Sequence, residues 1–593
     1  MIVADYVIDF LVKRGITDIF LVSGGGIMYL LDAIYRNKKI TYISNYHEQA
    51  SATCAESYAR LKNRIGACLV TTGPGSTNAI TGVAAAWVDS ISMLVISGQV
   101  KREVIADYSK LRQMGNQEVN IIPMVKPITK YAVTIMNPES IKFELEKGFH
   151  EATTNRPGPV WLNIPLDVQG SNIDEAKLKS FNIPKYKSKN NKIKKVGKVI
   201  SLLKLSKRPV FILGHGIRLS GASETINKLL DEFDIPILLT LNGLDLIPFS
   251  HPKLIGYFGP SGYRRANLVL QNADLIISIG ASLNIASTGF NYSNFARKGK
   301  IVMVNIDKGE LQKKTINVDM SIKMDGKDFI EAFIKQSSNV KLHLDPLWLT
   351  TGKLWKEKYP TIISKFKQDK KHVNSYLFMD KLSDLLTKED ILTTGMGLDV
   401  ISFNQAFKIK EGQRAYVNKN FGQMGWCLPA AIGACIANNR KRSICVTGDG
   451  SIQFNLQELN TIRYYKLPIK IFVFNNKGYK SIRDTQNSLF EGRLVGADKN
   501  SGVINPNFKK LASAYDLQYD YISNNSQIEK KIRRALITKG PTLYEVNISY
   551  DQSRMPRSVT RRKLDGSLES GSLEDMWPHL PKEELEAIMK TFS

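Results

Sequence analysis

Asp449 and Asn476 are the two side chains whose type and spacing most directly suggest chemistry. Asp449 lies in a Gly-Asp-Gly-Ser sequence directly after residues 443–447, whose apolar and β-branched composition predicts a buried strand. Asn476 follows a second predicted strand at residues 469–474. Between them, residues 451–465 carry apolar side chains at three- and four-residue steps, which predicts a crossover helix.

A strand-helix-strand unit of this length places two parallel strands side by side, with both carboxyl ends at one edge of the sheet. Asp449 and Asn476 can then reach the same cation. Magnesium takes about six oxygen ligands, and protein usually supplies only a few of them. We therefore expect Mg²⁺ to bind the Asp449 carboxylate, the Asn476 amide oxygen and the backbone carbonyl of Gly478. A Gly-Asp-Gly sequence alone would more simply be a turn.

The complete pattern is more specific than either half. Gly-Asp-Gly, then residues 451–474, then Asn-Asn with a glycine two positions later resembles the thiamine diphosphate (ThDP) motif of the pyruvate decarboxylase and acetolactate synthase superfamily. The resemblance implies ThDP and Mg²⁺ as cofactors. It assigns the cofactor to the following residues of the motif: Gly448, Asp449, Gly450, Ser451, Asn476, Gly478 and Tyr479.

Glu48 is the candidate for the acid that activates this cofactor. It follows a predicted strand at residues 41–46 and opens a predicted helix rich in small residues. The segment resembles the family's strand-His-Glu-Gln-helix unit, in which the glutamate contacts the pyrimidine ring of ThDP and shares a proton with a ring nitrogen. Taken alone, Glu48 would be a solvated residue, favoured near the positive end of a helix.

A Gly-Pro-Gly-Ser-Thr-Asn sequence stands between a predicted strand at residues 67–71 and a predicted helix at residues 79–87. It resembles the loop near the pyrimidine in acetolactate synthases, which makes Gly73, Pro74 and Asn78 candidates for cofactor binding. Without the resemblance it is a turn and a helix cap. Gln117, in a Gln-Glu pair that matches the family's Phe-Gln-Glu, is expected to help hold the reaction intermediate.

Residues 418–433 resemble the acetolactate synthase segment that precedes the core of the second ThDP domain. The match makes Gly422 a candidate for cofactor binding. Met424 stands where that family has a bulky apolar wedge, which bends ThDP so that its imine meets C2. Ordinary core packing is the alternative, since methionine often fills irregular gaps.

Length and patterning predict an α/β protein with three doubly wound parallel-sheet domains, because 593 residues are too many for one core. We expect these parts: a pyrimidine-binding domain at residues 1–169, a Rossmann-like middle domain at 196–335, a diphosphate- and Mg²⁺-binding domain at 374–549 and a C-terminal tail at 550–593. Strands are predicted in the middle domain at residues 209–213, 235–240, 275–279 and 301–306. A lysine-rich stretch at 185–195 predicts an exposed linker.

The formal charge of +27 would suit nucleic acid, but the lysines are scattered and no nucleic-acid motif accompanies them, so we expect no such partner. The charge would attract an anionic substrate, such as a nucleotide sugar or keto acid. Five cysteines without metal-ligand spacing indicate core residues in a reducing compartment. Neither a signal peptide nor a membrane-length apolar run is found, so a cytoplasmic protein without a membrane partner is expected.

Ala286 marks the main departure from acetolactate synthases. That family has an arginine here, whose guanidinium suits the carboxylate of an acceptor keto acid. The tryptophan of the family's acceptor pocket is also missing from residues 478–486. Arg483 and Lys480 remain as cations for a keto acid.

The resemblance implies a ThDP- and Mg²⁺-dependent carboligase of the acetolactate synthase type. Its donor is a 2-keto acid, expected to be pyruvate, and the two-carbon unit passes to a second carbonyl. Residues 481–496 and 564–578 look like a subgroup associated with surface polysaccharides, which leaves acetyl transfer to a ketosugar nucleotide as an alternative. A non-catalytic homologue is a second alternative, although Glu48 and the magnesium residues are all present.

FAD and a second subunit are also implied. Glycine-containing segments at residues 214–216, 240–243 and 259–262 match the FAD site of acetolactate synthases, as do residues 306–307. FAD has no redox part there, and plain turns would explain the same glycines. In the family, the glutamate and the diphosphate site come from different subunits, which implies a homodimer or a dimer of dimers.

Overall fold

The computed structural model describes residues 1–184, 191–338 and 340–591. Three six-stranded sheets with interleaved helices form the described chain, and every strand pair within them is parallel. The predicted α/β class with three doubly wound sheets is confirmed. The predicted lysine-rich linker begins outside the described residues, and its end belongs to a helix that starts at Asn191.

The first sheet has the strands β1 (Asp18–Leu21), β2 (Thr41–Ser44), β3 (Gly66–Val70), β4 (Met93–Gln99), β5 (Tyr131–Thr134) and β6 (Pro159–Pro165). Its helices are α1 (Val3–Lys13), α2 (Met28–Arg36), α3 (Glu48–Lys62), α4 (Pro74–Val88), α5 (Ile121–Val125), α6 (Ile141–Thr153) and α7 (Leu166–Gln169). The strand order is β2-β1-β3-β4-β6-β5.

The middle sheet has the strands β7 (Pro209–Leu213), β8 (Ile237–Leu239), β9 (Leu254–Tyr257), β10 (Leu275–Ile279), β11 (Lys300–Asn305) and β12 (Met320–Lys323). Its helices are α8 (Asn191–Leu205), α9 (Gly216–Leu219), α10 (Thr225–Glu232), α11 (Arg264–Asn272), α12 (Ile285–Thr288), α13 (Lys308–Leu311) and α14 (Gly326–Ser337). Its order, β12-β11-β10-β7-β8-β9, is that of dinucleotide-binding folds.

After α15 (Trp348–Lys358), the third sheet has the strands β13 (Ile391–Thr394), β14 (Ala415–Val417), β15 (Ser443–Gly448), β16 (Ile469–Asn475), β17 (Gln518–Ile522) and β18 (Thr542–Asn547). Its helices are α16 (Ser375–Leu385), α17 (Leu398–Ala406), α18 (Cys427–Ala437), α19 (Glu458–Tyr464), α20 (Lys480–Leu489), α21 (Phe508–Ala514) and α22 (Ile528–Ile537). The order β14-β13-β15-β16-β18-β17 repeats that of the first sheet.

Each sheet therefore has one point where the strand order reverses, and open α/β sheets bind ligands outside the carboxyl ends of the strands at such a point. In the third sheet the point lies between β13 and β15, in the first between β1 and β3, and in the middle sheet between β7 and β10. These three edges are where the candidate sites lie.

Two predicted helices are present, but with other bounds than predicted. The predicted helix at 451–465 is a short 3₁₀ turn, Ile452–Asn455, followed by α19. The Gly-Pro-Gly-Ser-Thr-Asn sequence is not a loop before a helix, because α4 already begins at Pro74. Proline suits the first helical position, where its missing N–H costs nothing.

The interior is apolar on both faces of each sheet, as expected for parallel sheets. One apolar cluster joins the first and third sheets through α3 and α18, and all five cysteines are free and buried. No helix in the described residues is both long and apolar enough to cross a membrane.

The C-terminal tail packs against the middle sheet. It carries a hairpin, β19 (Thr560–Arg562) and β20 (Leu568–Ser570), and a helix, α23 (Lys582–Lys590). Met576 is fully buried, and its Sδ atom accepts a hydrogen bond from Asn267 Nδ2 on α11 at 3.3 Å. Glu574 accepts from Gln271 at 2.7 Å and pairs with Arg297 at 2.7 Å.

Candidate active site

Asp449 lies at the carboxyl end of β15, where a Gly-Asp-Gly turn ends the strand. Its side chain is only 2% exposed. Oδ1 accepts from Gly450 N at 2.7 Å, and Oδ2 accepts from Gly478 N at 3.0 Å and Asn505 Nδ2 at 2.6 Å. Burial raises the pKa of Asp449, although these donors stabilise its ionised form.

Asn476 follows β16, which pairs with β15 as predicted, so both residues lie at the same edge. Asn476 is 6% exposed, and its Oδ1 atom is buried without a hydrogen-bond partner. Native proteins rarely leave such an oxygen unpaired, so it is a candidate cation ligand. The backbone carbonyl of Asn476 accepts from Arg483 Nη2 at 3.0 Å, which fixes the loop.

Two glycines in this loop cannot carry a side chain. A Cβ atom at Gly450 would lie 2.2 Å from the Tyr479 ring, and one at Gly478 would lie 2.4 Å from the carbonyl of Ala497. Gly478 also has a φ of +124°, which L residues rarely adopt. The glycines thus let Tyr479 and the 497–498 segment close over Asp449.

Asn505 was not predicted from the sequence. Its amide donates to Asp449 Oδ2 and to Asn475 Oδ1, at 2.6 and 3.2 Å, and so orients both strand ends. It lies in a loop outside the motif, and nothing in its local sequence marks it.

Ser451, Gly422 and Met424 meet at the same edge. Ser451 Oγ accepts from Gly425 N at 3.0 Å, which ties the loop that carries Gly422 and Met424 to the end of β15. Gly422 has a φ of +74°, which glycine tolerates best, and Met424 is partly exposed rather than fully packed in the core. A Cβ atom at Gly395, directly after β13, would lie 3.8 Å from Ser451 Oγ.

Glu48 is the first residue of α3, with His47 as the N-cap. The Glu48 side chain is 8% exposed, and its Oε2 atom accepts from Asn78 Nδ2 at 3.0 Å. A Cβ atom at Gly75 would lie 3.2 Å from Oε1, so α4 packs closely against this carboxylate. Asn78 therefore lies in the second turn of α4 and orients Glu48.

Gly73 brings Gln117 to the same place. Gly73 has a φ of +63°, and a Cβ atom there would lie 1.8 Å from the Gln117 carbonyl. Gln117 also has a positive φ of +63° and an exposed side chain, while Pro74 is exposed beside it. The buried Glu118 side chain fixes this loop by accepting from the backbone N–H groups of residues 106, 114 and 115.

The predicted residues thus form two groups, one around Glu48 and one around Asp449. No hydrogen bond in the described parts of the chain joins the Glu48 side chain to the second group. Glu458 on α19 links their surroundings: it accepts from Asn45 Nδ2 at 2.7 Å and from Tyr46 N at 2.9 Å.

A cleft lies where β7 and β10 end, between the first and middle sheets. Residues of the predicted FAD segments line it: Gly216, Thr240, Asn242 and Ile306. A Cβ atom at Gly214 would lie 2.3 Å from the carbonyl of Gly280, so the two strand ends touch through their backbones. Both ring nitrogens of His215 and Oδ1 of Asn242 are buried without partners.

Asp89 connects this cleft with all three domains. It is 5% exposed; Oδ2 accepts from Arg60 in the first domain. Oδ1 accepts from Asn242 in the middle domain at 2.9 Å and from Asn420, in the loop before Gly422, at 2.7 Å.

The two cations named as alternatives for an acceptor are already engaged. Arg483 is 1% exposed, donates to the carbonyls of Asn476 and Tyr550, and stacks on the Tyr550 ring. Lys480 pairs with Asp484. Ala286 lies in the lining of the middle-sheet cleft.

Three family models match the chain. They describe a thiamine pyrophosphate enzyme: its N-terminal TPP binding domain at residues 1–124, its central domain at 196–333 and its C-terminal TPP binding domain at 395–546. Fold and sequence together define a thiamine pyrophosphate enzyme.

The acetolactate synthase large subunit of Cyanidium caldarium is 31% identical over 568 residues, 93% of either chain. The probable large subunit of Methanocaldococcus jannaschii is 32% identical, covering 92% of this chain and 91% of its own. The large subunit of Lactococcus lactis subsp. lactis is 31% identical, covering 93% of either chain. The chain therefore belongs to the acetolactate synthase large-subunit family of ThDP-dependent enzymes.

Proposed function

We propose that the protein is a carboligase of the acetolactate synthase type, which decarboxylates pyruvate and transfers the two-carbon unit to a second 2-keto acid. The observation that carries the proposal is full-length similarity to acetolactate synthase large subunits in a chain that retains Glu48. This similarity does not favour the two alternatives, acetyl transfer to a ketosugar nucleotide and a non-catalytic role.

Mg²⁺ binds Asp449, Asn476 and the Gly478 carbonyl in this proposal. The unpaired Oδ1 atom of Asn476 supports it, because a buried amide oxygen without a donor suits a cation. One carboxylate and two neutral oxygens leave room for diphosphate oxygens and water among about six ligands. Gly448, Gly450, Ser451 and Tyr479 would border the diphosphate.

ThDP would lie between the domains proposed at residues 1–169 and 374–549. When bound, ThDP supplies the carbanion chemistry that breaks the bond beside the keto carbonyl. Glu48 would hold and exchange a proton at a pyrimidine nitrogen, and Asn78 would orient its carboxyl group. Gly73 and Pro74 would border the ring, Met424 with Gly422 would support its bent shape, and Gln117 would contact the reacting substrate.

A homodimer or a dimer of dimers completes the site in this proposal. Among the described residues, no hydrogen bond joins the Glu48 side chain to the residues around Asp449. This separation suits a site in which Glu48 of one chain works with the Asp449 residues of a second chain. The free, buried cysteines suit the cytoplasm, whose thiols are kept reduced.

The middle-sheet cleft is the proposed FAD site, and FAD would serve there as a structural ligand. The unpaired atoms of His215 and Asn242 support this, since a polar ligand would satisfy them.

The first test is mass spectrometry of products from purified protein with ThDP, Mg²⁺ and pyruvate alone. We expect acetolactate.

Glu48→Gln should lower turnover by at least ~100-fold while ThDP still binds, because a general acid-base group typically contributes that much. Asp449→Ala should instead weaken ThDP and Mg²⁺ binding, measured by calorimetry. Full turnover in the Gln variant would refute the role of Glu48.

A further inference from the structure

Four basic side chains gather where the C-terminal tail meets the third domain: Lys419, Lys480, Arg554 and Arg557. Lys480 and Arg554 share one carboxylate, Asp484, with Arg554 Nε at 2.7 Å. Burial and the neighbouring charge of Arg554 lower the pKa of Lys419 to about 8. Burial and the same charge also lower the pKa of Arg557. Three of these cations thus lie near the Asp484 carboxylate, and Lys419 lies near one of the three, Arg554.

Two of these cations have almost no partners. Among the described residues, Lys419 Nζ makes a single side-chain hydrogen bond, to Ser261 Oγ at 2.6 Å, although an ammonium has three donors. The Arg557 guanidinium has five N–H donors, but it makes no hydrogen bond or ion pair within the described part of the chain. By contrast, the partly buried Arg414 is paired with Asp245. Both side chains are partly exposed, so their free donors are accessible to an anionic ligand.

The cluster lies beside the candidate active site. Lys419 belongs to the loop that carries Gly422 and Met424, and Gly422 N donates to Asn418 O at 2.9 Å. Arg554 contacts Asp484 and Ser481 on α20, which begins directly after Tyr479. The tail is fixed there by Ser558 N, which donates to the carbonyl of Pro260 at 2.7 Å.

The same region adjoins the position at which the family's arginine is missing. A Cβ atom at Gly259 would lie 3.2 Å from the carbonyl of Ala286, and Ser261, two residues later, holds Lys419. The loop, the tail and the middle domain therefore converge on one place. Two polar groups there, Asn418 and the Ser558 hydroxyl, are buried without hydrogen-bond partners.

Resting on the proposed carboligase function, we propose that Lys419 and Arg557 bind the anionic group of the acceptor substrate, while Arg554 holds the tail in place through Asp484. The ligand chemistry is an oxyanion. A second 2-keto acid would supply it as a carboxylate, and a phosphorylated aldehyde or ketose would supply it as a phosphate. A guanidinium can grip either group with two parallel hydrogen bonds.

The test compares anionic and neutral acceptors with pyruvate as donor. Acceptors are 2-ketobutyrate against propanal for a carboxylate, and glyceraldehyde 3-phosphate against glyceraldehyde for a phosphate. Products are measured by mass spectrometry for the wild type, Lys419→Met and Arg557→Gln. In both variants we expect the ratio of kcat/KM for the anionic acceptor to that for its neutral partner to fall about 10- to 100-fold, as for a lost charged hydrogen bond.

The matched control is Arg562→Gln, an exposed arginine of the same tail, which should leave the ratio unchanged. Arg557→Lys keeps the positive charge, so its ratio of kcat/KM for the anionic acceptor to that for the neutral acceptor should lie between those of Arg557→Gln and the wild type. The pair of acceptors whose ratio falls identifies carboxylate or phosphate as the ligand. Equal losses for anionic and neutral acceptors, or no loss, would overturn the proposal.

A wild type without any product would refute the proposed function instead. The binding proposal would then be tested without turnover, by the rise in Tm that inorganic phosphate or 2-ketobutyrate causes in protein saturated with ThDP and Mg²⁺. This rise should disappear in the Lys419→Met, Arg557→Gln double variant. A rise that persists in the double variant, or none in the wild type, would contradict the proposal.

Discussion

His215 shows how burial and nearby positive charge together fix the protonation of a side chain. Burial, followed by the charge of Arg60, lowers the pKa of this histidine to about 3. The imidazole is therefore neutral in the folded protein at physiological pH. Its two unpaired nitrogens face the middle-sheet cleft as one donor and one acceptor.

This pKa predicts acid sensitivity. The unfolded chain binds a proton at His215 below pH ~6.5, whereas the folded chain does so only near pH 3, so the free energy of unfolding falls as pH drops through this window. The loss is on the order of 5 kcal/mol in total. Urea unfolding of ligand-free protein between pH 7 and 4 should show a shallower pH slope in His215→Gln than in wild type. The exposed His343→Gln serves as the control, and equal slopes would contradict the prediction.

At the residue scale, the sequence predicted those positions whose motif combines residue type with strand context. Asp449 and Asn476 lie at neighbouring strand ends, as parallel pairing requires. Asn505 was not predictable, because its contact with Asp449 depends on a loop that returns from more than fifty residues away. The engagement of Arg483 with two carbonyls was equally invisible in sequence.

The packing of α3 on α18 joins the first and third sheets at the element scale. Small residues let the helices approach, since a Cβ atom at Gly433 would lie 2.2 Å from the carbonyl of Cys54. A fully buried ionic cluster lies at one end of this contact. Arg60 pairs with Glu56 and Asp89, and Trp426 Nε1 donates to Glu56 Oε2 at 2.7 Å.

Arg60→Met should destabilise the protein by about 3–5 kcal/mol, because it leaves two carboxylates buried without a counter-charge. Burial raises the pKa of Glu56, and the positive charge of Arg60 partly offsets this increase. Urea unfolding at pH 7 measures the change. Adding Glu56→Gln should recover part of the loss; strictly additive effects of the two substitutions would exclude a coupled cluster.

Eight of the eighteen strands that form the three sheets in the described residues were predicted from the sequence, but the order in which they pair was not. Periodicity identifies β15 and β16, and short β9 and β12 escape it because half-exposed or four-residue strands give little pattern. Strands β1 and β13, which border the points where the strand order reverses, were also not predicted, because each has only four residues. Strand order depends on contacts between segments far apart in the chain, and a local pattern does not contain them.

At the scale of the whole molecule, the tail acts as a fourth structural part. It covers α11, whose polar residues Arg264, Asn267 and Gln271 are buried against it. The sequence predicted only a C-terminal tail at residues 550–593; the surface that receives Met576 became evident in the fold.

Met576→Ala should detach this tail in part. The side chain is fully buried, and removing it costs about 2–5 kcal/mol. We expect faster proteolytic cleavage within residues 555–575 and a lower Tm, read by mass spectrometry and calorimetry. Leu564→Ala, at a fully exposed position of the same tail, is the control. Unchanged cleavage in the Met576 variant would show that other contacts hold the tail.

Asp89 has a consequence for how variants of this protein are interpreted. Arg60, Asn242 and Asn420 belong to the three different domains, and all three donate hydrogen bonds to the Asp89 carboxylate. Because hydrogen bonds are directional, this one side chain constrains how the three domains are oriented relative to one another. A substitution at Asp89 would remove all three hydrogen bonds at once. A genetic screen would score such a substitution as a loss of activity. That loss would reflect a changed orientation of the domains, and not a direct role of Asp89 in the candidate active site or in the middle-sheet cleft.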